Sequence, residues 1–238
     1  MIQATTDLPT PFLLFNINLE VIMGKKRLFV NLEDKSIRMF SSDFMDSFSR
    51  VHWTVPLYLY IPVIGFSVYA SIAYTKLSWY MGIMWFLLGV ILWTLAEYIL
   101  HRFVFHYHPT TELGKRIHFM THGVHHDYPR DSMRLVMPPV VSVPLAFLFF
   151  FAFRLVLGAE ITWPFFGGFV LGYLTYDMLH YATHHANISW SWFKKLRKHH
   201  MNHHYKEPDL GFGVTNTIWD SLFMTQMSRA DKEQESAD

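Results

Sequence analysis

The stretch His122-Gly-Val-His-His126 has a near copy in His200-Met-Asn-His-His204, and both follow the pattern H-x-x-H-H. In a helix, residues at positions i, i+3 and i+4 lie on one face. Each triplet is therefore predicted to bring three imidazoles to a single point. Neutral imidazole nitrogens are common ligands of zinc, iron, copper and nickel, so each triplet predicts part of a metal site.

Two further histidines precede each triplet. His101 and His106 precede the first, and His180 and His184 precede the second. The second histidine of each pair lies 16 residues before its triplet in both halves. This repeated spacing predicts two half-sites, which hold either two metal ions or one site built from both halves. A closed zinc site that only clamps helices together is the structural alternative.

The composition favours a membrane protein. Of the 238 residues, 51% are hydrophobic, 18% are aromatic and 16% are charged, where soluble chains carry roughly 25% charged residues. The chain has no cysteine, which excludes disulfides and thiolate ligands, but it has 15 histidines. Its net charge of +1 gives no indication of a nucleic-acid partner.

Four apolar runs are predicted to cross the membrane, at about 53–74, 77–100, 135–153 and 161–180. The first has 22 residues without a charge, enough for a hydrocarbon core of about 30 Å. Tryptophan and tyrosine cluster near the ends of the runs, as at membrane interfaces. Buried core helices of a soluble protein are the alternative, which four runs in so short a chain disfavour.

The basic residues predict the orientation. Six lie before the first run, five between the second and third and seven after the fourth, whereas Lys76 and Arg154 stand alone in the two short turns. The positive-inside rule then places both termini and the metal site in the cytoplasm. We therefore predict an all-α integral membrane protein. Its four transmembrane helices form two hairpins under a cytoplasmic helical cap (101–134 and 181–225) that holds a histidine-rich dimetal site.

The predicted organisation has three parts: an N-terminal cytoplasmic or interfacial segment (1–50), a membrane domain (51–225) and a polar tail (226–238). The first residues lack the basic start of a secretory signal. Phe and Met spacing predicts a short amphipathic helix at 40–50, either on the membrane surface or as a solvated arm.

Four stretches resemble the fatty acid hydroxylase superfamily: EYILHRFVFH (97–106), HGVHHDYPRDSMRLVMPP (122–139), YDMLHYATHH (176–185) and KLRKHHMNHHYKEPDLGFGVT (195–215). Within them, RLVMPP (134–139) and LGFGVT (210–215) are similar to the fatty acid 2-hydroxylase branch, also called sphingolipid-type. The resemblance implies a membrane-bound monooxygenase that hydroxylates the 2-position of a free fatty acid or of a ceramide-type acyl group.

The resemblance also implies the cofactors and ligands. They are two iron ions, which zinc can replace in purified protein, with dioxygen as co-substrate. Zinc has no accessible redox states and cannot itself activate dioxygen. Of the 15 histidines, His52, His108, His118, His185 and His199 fall outside the family pattern. The implied metal ligands are His101, His106, His122, His125, His126, His180, His184, His200, His203 and His204.

Eukaryotic members of this branch often carry an N-terminal b-type cytochrome domain, for which the first fifty residues are too short. The resemblance therefore implies a separate electron donor, either a ferredoxin or a b-type cytochrome with its reductase. The expected partners are this donor and a lipid substrate in the membrane, without nucleic acid. The expected location is a bacterial inner membrane, or the endoplasmic reticulum if the chain is eukaryotic.

Three residues beside the histidines are the candidate catalytic residues: Glu97, Tyr176 and Asp177. The two carboxylates lie at the inner ends of the second and fourth runs, about one turn before His101 and His180. Ionisable residues at such depth are functional candidates, and each carboxylate can accept the N–H of a ligating imidazole. A charge that merely caps the span is the alternative.

Further alternatives concern the substrate groove and the reaction. The pair Gly168 and Gly172 favours either a packing face or an acyl groove, and Arg134, Tyr176 and Tyr205 are candidates to anchor a polar head. Another lipid oxidation of the same superfamily, such as carotenoid or sterol hydroxylation or desaturation, is the alternative reaction. A non-catalytic membrane metal-binding or transport protein is the alternative class.

Overall fold

The computed structural model describes residues 30–227, and within this range all regular structure is helical, without a β-strand. Among these described residues, three helices are long and apolar enough to cross a membrane. They are α2 (Val55–Tyr74), α3 (Trp79–Ile99, extended to Phe105) and α6 (Pro139–His185). The expectations for residues 1–29 and 228–238 lie outside the described residues.

Helix α6 contains both of the last two predicted spans. It begins at Pro139 rather than at residue 135, because Pro138 adopts φ −59° and ψ 141° and a residue that precedes proline avoids the helical region. It breaks only at Gly158, where φ is 78° and ψ is 177°, a conformation that glycine adopts without steric cost. The expected turn around Arg154 is therefore helical, and the break is a single residue.

The two arms of α6 fold back on each other. Phe149 packs on Phe169 and Phe153 on Phe165, with ring centroids 4.9 Å apart in both pairs. As the residue number rises from 149 to 153 on the first arm, the partner on the second arm falls from 169 to 165. The two arms are therefore antiparallel. The apolar runs thus produce a helical hairpin within one continuous element.

Helix α3 packs backbone to backbone against the second arm of α6. A Cβ atom on Gly168 would lie 1.8 Å from the carbonyl oxygen of Phe86, and one on Gly172 would lie 2.5 Å from the Cβ of Trp93. These glycines therefore form a packing face, and small residues at such faces let membrane helices approach closely. Beside this contact, the Tyr60 hydroxyl on α2 donates to Ser142 Oγ at 2.7 Å, which ties α2 to the first arm.

Shorter elements form the cap. They are α1 (Asp43–Phe48), a π-helical continuation of α3 (Leu100–Phe105), α4 (Glu112–His118), a second π-helical segment (Phe119–Gly123), α5 (Val124–Asp127), α7 (Ser191–Tyr205) and α8 (Ile218–Leu222). The short helix predicted near residues 40–50 is α1.

A buried ion cluster fastens α1 to the loop before α6. The Arg134 side chain is 3% exposed and lies 3.4 Å from Asp46 and 3.8 Å from Asp131. Asp46 also accepts the backbone N–H of Met39 at 2.7 Å. Arg134 is therefore engaged within the protein, and the expectation that it anchors a lipid head was wrong.

Candidate metal centre

Ten histidines form two clusters of five, and within each cluster the ligand atoms lie within 4.8 Å of one another. The first cluster sits at the end of α3, and the second sits at the end of α6. All ten side chains come from the positions that the sequence singled out. The first cluster contains His101, His106, His122, His126 and His203, and the second contains His125, His180, His184, His200 and His204.

Each H-x-x-H-H triplet is divided between the clusters. His122 and His126 join the first cluster while His125 joins the second, and His203 crosses in the opposite direction. The expectation that one triplet converges on a single point was wrong. Successive residues of an α-helix are rotated by about 100°, so i+4 lies about 40° to one side of i and i+3 about 60° to the other. The central histidine consequently points toward the neighbouring cluster.

The π-helical segments explain the unusual spacing of the first cluster. In an α-helix, residues five apart point about 140° away from each other. The turn from His101 to His106 is instead closed by a π-type hydrogen bond, from the His106 N–H to the His101 carbonyl at 3.1 Å. The wider turn brings the two imidazoles to the same side, with ring centroids 4.9 Å apart. Such π-helical turns occur frequently at functional sites.

The imidazole geometry fits metal ions. Within the clusters, Nε2 atoms of neighbouring histidines face each other at 2.8–3.1 Å. Histidine nitrogens bind a metal such as zinc at about 2.0–2.1 Å, so two ligands at right angles are about 3.0 Å apart. Nitrogens that converge at this spacing match a shared ion better than they match a set of hydrogen bonds.

Two members of the first cluster are oriented by backbone carbonyls. His101 Nδ1 lies 2.5 Å from the carbonyl oxygen of Phe212, and His203 Nδ1 lies 2.7 Å from that of Leu210. Each Nδ1 must donate a proton to its carbonyl, so each Nε2 keeps its lone pair and directs it into the cluster. In the second cluster, the Nδ1 atoms of His125, His180, His200 and His204 are buried without a hydrogen-bond partner among residues 30–227.

The cap histidines are held in the neutral form that binds metals. Burial lowers the pKa of His122 and His200 well below its usual value, and repulsion from neighbouring histidines adds to the effect. Burial also lowers the pKa of His203 to about 4, although its bond to the Leu210 carbonyl opposes the shift. Since a ligand imidazole must be unprotonated, these environments favour ion binding at neutral pH.

Two carboxylates hold the loop (residues 210–215) that supplies those carbonyls. Glu97 Oε1 accepts the backbone N–H groups of Val214 and Thr215 at 2.7 and 2.8 Å, and Oε2 accepts the Thr215 hydroxyl at 2.6 Å. Glu97 therefore accepts from the loop, and the expectation that it binds a ligating imidazole directly was wrong. The loop that it holds also contains Phe212, whose carbonyl oxygen faces His101.

Asp220 is the second carboxylate and was not predicted from the sequence. It is fully buried, and its two oxygens accept the backbone N–H groups of Phe212 and Gly213, both at 2.9 Å. Thr225 Oγ1 and His199 Nε2 complete its partners at 2.8 and 3.2 Å. Burial alone would raise the pKa of Asp220, but these hydrogen bonds lower it below its usual value. Neither its position nor its spacing marked it in the sequence.

Asp177 and Tyr176 lie beside the second cluster. The Tyr176 ring is 5.6 Å from the ring of His180. Asp177 is 1% exposed, and within residues 30–227 its nearest polar contacts, with the Tyr173 hydroxyl and the Met137 backbone, fall short of regular hydrogen-bond geometry. The expected bond from Asp177 to the His180 N–H is not formed, since His180 Nδ1 is itself without a partner there.

An apolar cavity of about 40 Å³ lies among the long helices. Leu100, which lines it, directly precedes His101, and Tyr173 lies one turn before Asp177. These two lining residues thus precede the cluster histidines His101 and His180 on the same helices. Its other walls are aromatic and aliphatic and include Tyr60, Trp93, Met137, Ala146, Phe149 and Phe169.

Known proteins are similar to this chain in sequence. Residues 86–225 match the family model for fatty acid hydroxylases. The chain is 37% identical to the dihydroceramide fatty acyl 2-hydroxylase FAH1 of Arabidopsis thaliana over 190 residues, which cover 79% of each protein. The chain belongs to the fatty acid hydroxylase family. It is also 36% identical to fatty acid 2-hydroxylase of Rattus norvegicus over 217 residues, covering 80% of this chain and 57% of the relative.

A solved structure has the same fold. It is described as full-length scs7p with only its hydroxylase domain visible, and it superposes with a TM-score of 0.74 at 34% identity. The match covers 78% of this hydroxylase and 70% of that chain. Membership of a lipid hydroxylase family agrees with the three apolar helices and with histidine clusters that can hold metal.

The histidines outside the family pattern have other contacts in this hydroxylase. His108 is exposed and lies 3.5 Å from Asp209, and His185 stacks on Tyr181 with centroids 4.7 Å apart. His199 faces Asp220, as described above. None of these three joins either cluster.

Proposed function

We propose that this hydroxylase inserts one oxygen atom of dioxygen at the 2-position of a fatty acyl chain, either in a free fatty acid or in a ceramide-type lipid. The observation that carries the proposal is the gathering of ten histidines into two clusters of five, with members on the apolar helices α3 and α6 or their continuations. The acyl chain is proposed to enter the apolar cavity between these helices with its polar head toward the clusters. The relatives named as 2-hydroxylases support the same position of attack.

The ten clustered histidines are the proposed ligands of two iron ions. Bound iron supplies the redox chemistry that activates dioxygen, which no side chain of this protein can supply. The residues of the chain fix the geometry. The carbonyls of Leu210 and Phe212 orient two ligands, and Glu97 and Asp220 hold the loop that carries those carbonyls.

Tyr176 and Asp177 are the proposed catalytic side chains. Asp177 is one turn after Tyr173, which lines the cavity, and three residues before His180. Its oxygens make no hydrogen bond of regular geometry among residues 30–227, and a buried carboxylate that is so weakly bonded is a candidate for binding a substrate group or a proton. We assign Asp177 Oδ to that role and Tyr176 to packing the acyl head against His180.

The proposed membrane placement has four spans: α2, α3 and the two arms of α6. Both termini and the clusters lie on the cytoplasmic side, where a ferredoxin or a b-type cytochrome delivers two electrons. The distribution of basic residues supports this orientation, since 18 of the 20 lie outside the two short turns. A bacterial inner membrane or the endoplasmic reticulum membrane provides a cytoplasmic side for both termini and the electron donor.

Expression in a host without 2-hydroxy fatty acids, followed by analysis of total hydrolysed lipids, tests the reaction. The wild type is expected to produce 2-hydroxy acyl chains, the His203→Ala variant none and the His108→Ala variant the wild-type amount. Oxidation at another carbon, or a ring-hydroxylated product, would contradict the proposed position. Equal loss in both variants would contradict the ligand assignment.

The cavity assignment has its own test. Ala146 lines the cavity, whereas Leu155 is on the same arm of α6 but is 88% exposed. Ala146→Phe is expected to reduce hydroxylation of the longest acyl chains and to spare shorter ones, because the added ring occupies the cavity. Leu155→Phe is the matched control. A uniform decrease for all chain lengths would place the acyl chain elsewhere.

A further inference from the structure

Helix α8 and the turn after it, residues 216–224, expose an apolar surface. Ile218 is 67% exposed, Leu222 63% and Met224 90%. The sequence from 216 to 226 has one charged residue, Asp220, and that residue is fully buried. The outer face of this segment, which we name the α8 surface, is therefore without charge and mostly apolar, with Thr217 and Ser221 as its exposed polar residues. Met224 also has a φ of 56°, a rare conformation for a residue other than glycine.

The opposite side of the segment packs along α3. Trp219 Nε1 donates to Thr94 Oγ1 at 3.0 Å, and the ring of Phe223 stacks on that of Tyr98 at 5.2 Å. Thr94 and Tyr98 are one helical turn apart. The segment therefore follows α3 for a full turn. The positions of Thr94 and Tyr98 along α3 give the depth of the segment in the membrane.

This depth lies within the membrane-spanning part of α3. Thr94 is 15 residues after Trp79, the first residue of α3, which corresponds to about 22 Å along the axis. The hydrocarbon core is about 30 Å thick. Because α3 starts at the far interface in the proposed placement, Thr94 lies below the cytoplasmic boundary, and so does Trp219.

Both ends of the segment lie at the same end of α3. Thr215 is fixed to Glu97 at the top of α3, the segment descends to Thr94, and Thr225 returns to the Tyr98 hydroxyl at 2.9 Å. Within the turn, the N–H groups of Ile218, Ser221, Phe223 and Thr225 all have acceptors. Backbone at membrane depth must satisfy its hydrogen bonds internally, and these do.

We propose that residues 216–224 form a re-entrant segment whose α8 surface inserts among the acyl chains of the cytoplasmic leaflet. Phospholipid hydrocarbon covers this surface, rather than water or another protein. The surface continues the exposed apolar face of α3, where Ile91 is 55% exposed and lies one turn below Thr94. This segment therefore belongs to the membrane domain and anchors the loop at 210–215, and with it two histidines of the first cluster, to the bilayer. The inference rests on the proposed placement of α3 as a membrane span.

The absence of cysteine makes single-site spin labelling direct. Ile218→Cys and Leu222→Cys are labelled in the full-length protein in phosphatidylcholine vesicles. Ile91→Cys is the lipid reference, and Glu112→Cys, on the exposed side of α4, is the water reference. Collision rates are measured with dioxygen, which concentrates in hydrocarbon, and with chromium oxalate, which stays in water. Circular dichroism and metal content verify that each variant folds.

The labels at 218 and 222 are expected to match the Ile91 label, with a dioxygen-to-chromium ratio several-fold higher than at 112. A ratio equal to that at 112 would overturn the re-entrant segment. Shielding from both reagents would also overturn it, because another protein surface would then cover the segment. If the Ile91 label is accessible to chromium oxalate, the span assignment of α3 fails as well, which separates the two claims.

Discussion

Replacing Asp220 by asparagine removes one of the two acceptors that hold the loop at 210–215. Each carboxylate oxygen accepts one backbone N–H, from Phe212 or from Gly213. Asparagine keeps one oxygen, so in either side-chain orientation one buried N–H meets an NH₂ group. A buried donor without a partner costs about 1–3 kcal/mol. The loop is therefore expected to shift.

The shift should reach the first cluster alone. The Phe212 carbonyl orients His101, and the neighbouring Leu210 carbonyl orients His203. Removing such outer contacts typically weakens metal binding 10–100-fold, which corresponds to about 1.4–2.7 kcal/mol. In Asp220→Asn we expect one of two ions to be lost at a lower chelator concentration, while the ion of the second cluster is retained as in the wild type.

The assay is a chelator titration of purified protein, with metal per chain measured at each step. Glu97→Gln is the matched variant, because its retained oxygen can still accept the N–H groups of Val214 and Thr215, while the Thr215 hydroxyl rotates to accept from the new NH₂ group. Its expected cost is less than about 1 kcal/mol. Equal weakening of both ions in Asp220→Asn, or a larger effect in Glu97→Gln, would refute the reasoning.

Two further substitutions test the packing. Gly168→Ala forces a Cβ atom against the Phe86 carbonyl and is expected to destabilise the protein by about 1–3 kcal/mol, whereas Gly65→Ala, which meets no atom within 4 Å, should not. Thermal unfolding in detergent measures both, and equal midpoints would contradict the close contact of α3 with α6. Arg134→Ala leaves the buried Asp131 carboxylate without its ion-pair partner, while Asp46 keeps Arg50, and is expected to cost about 3–5 kcal/mol. Arg38→Ala, which removes an exposed ion pair, should cost at most about 1 kcal/mol, and similar losses would argue against a buried ion cluster.

The sequence predicted the apolar helices and all ten clustered histidines, because both depend on local composition and spacing. Long uncharged runs become helices wherever the backbone must satisfy its own hydrogen bonds. The pair Gly168–Gly172 was readable as a packing face for the same local reason. The short helix near residues 40–50 also follows from its own spacing of Phe and Met.

What the sequence could not predict depends on contacts between distant segments. Helix geometry separates the central histidine of each triplet from its two neighbours, but the exchange of His125 and His203 also requires α5 and α7 to face each other, which no spacing within one triplet reveals. The partners of Glu97 lie 117 and 118 residues away, so its role could not be read from its neighbours on α3. The π-helical turn after Leu100 was equally hidden, since the sequence carries no signal for it.

The exchange of the central histidines is the central claim, and paired substitutions test it most directly. In His101→Ala/His203→Ala, both changes fall in the first cluster. One ion should be lost, and the other should keep its wild-type resistance to chelator. In His184→Ala/His203→Ala, one ligand is missing from each cluster, so both ions should be weakened. The reverse pattern, with one ion unaffected in the second variant and both weakened in the first, would show that each triplet stays within its own half.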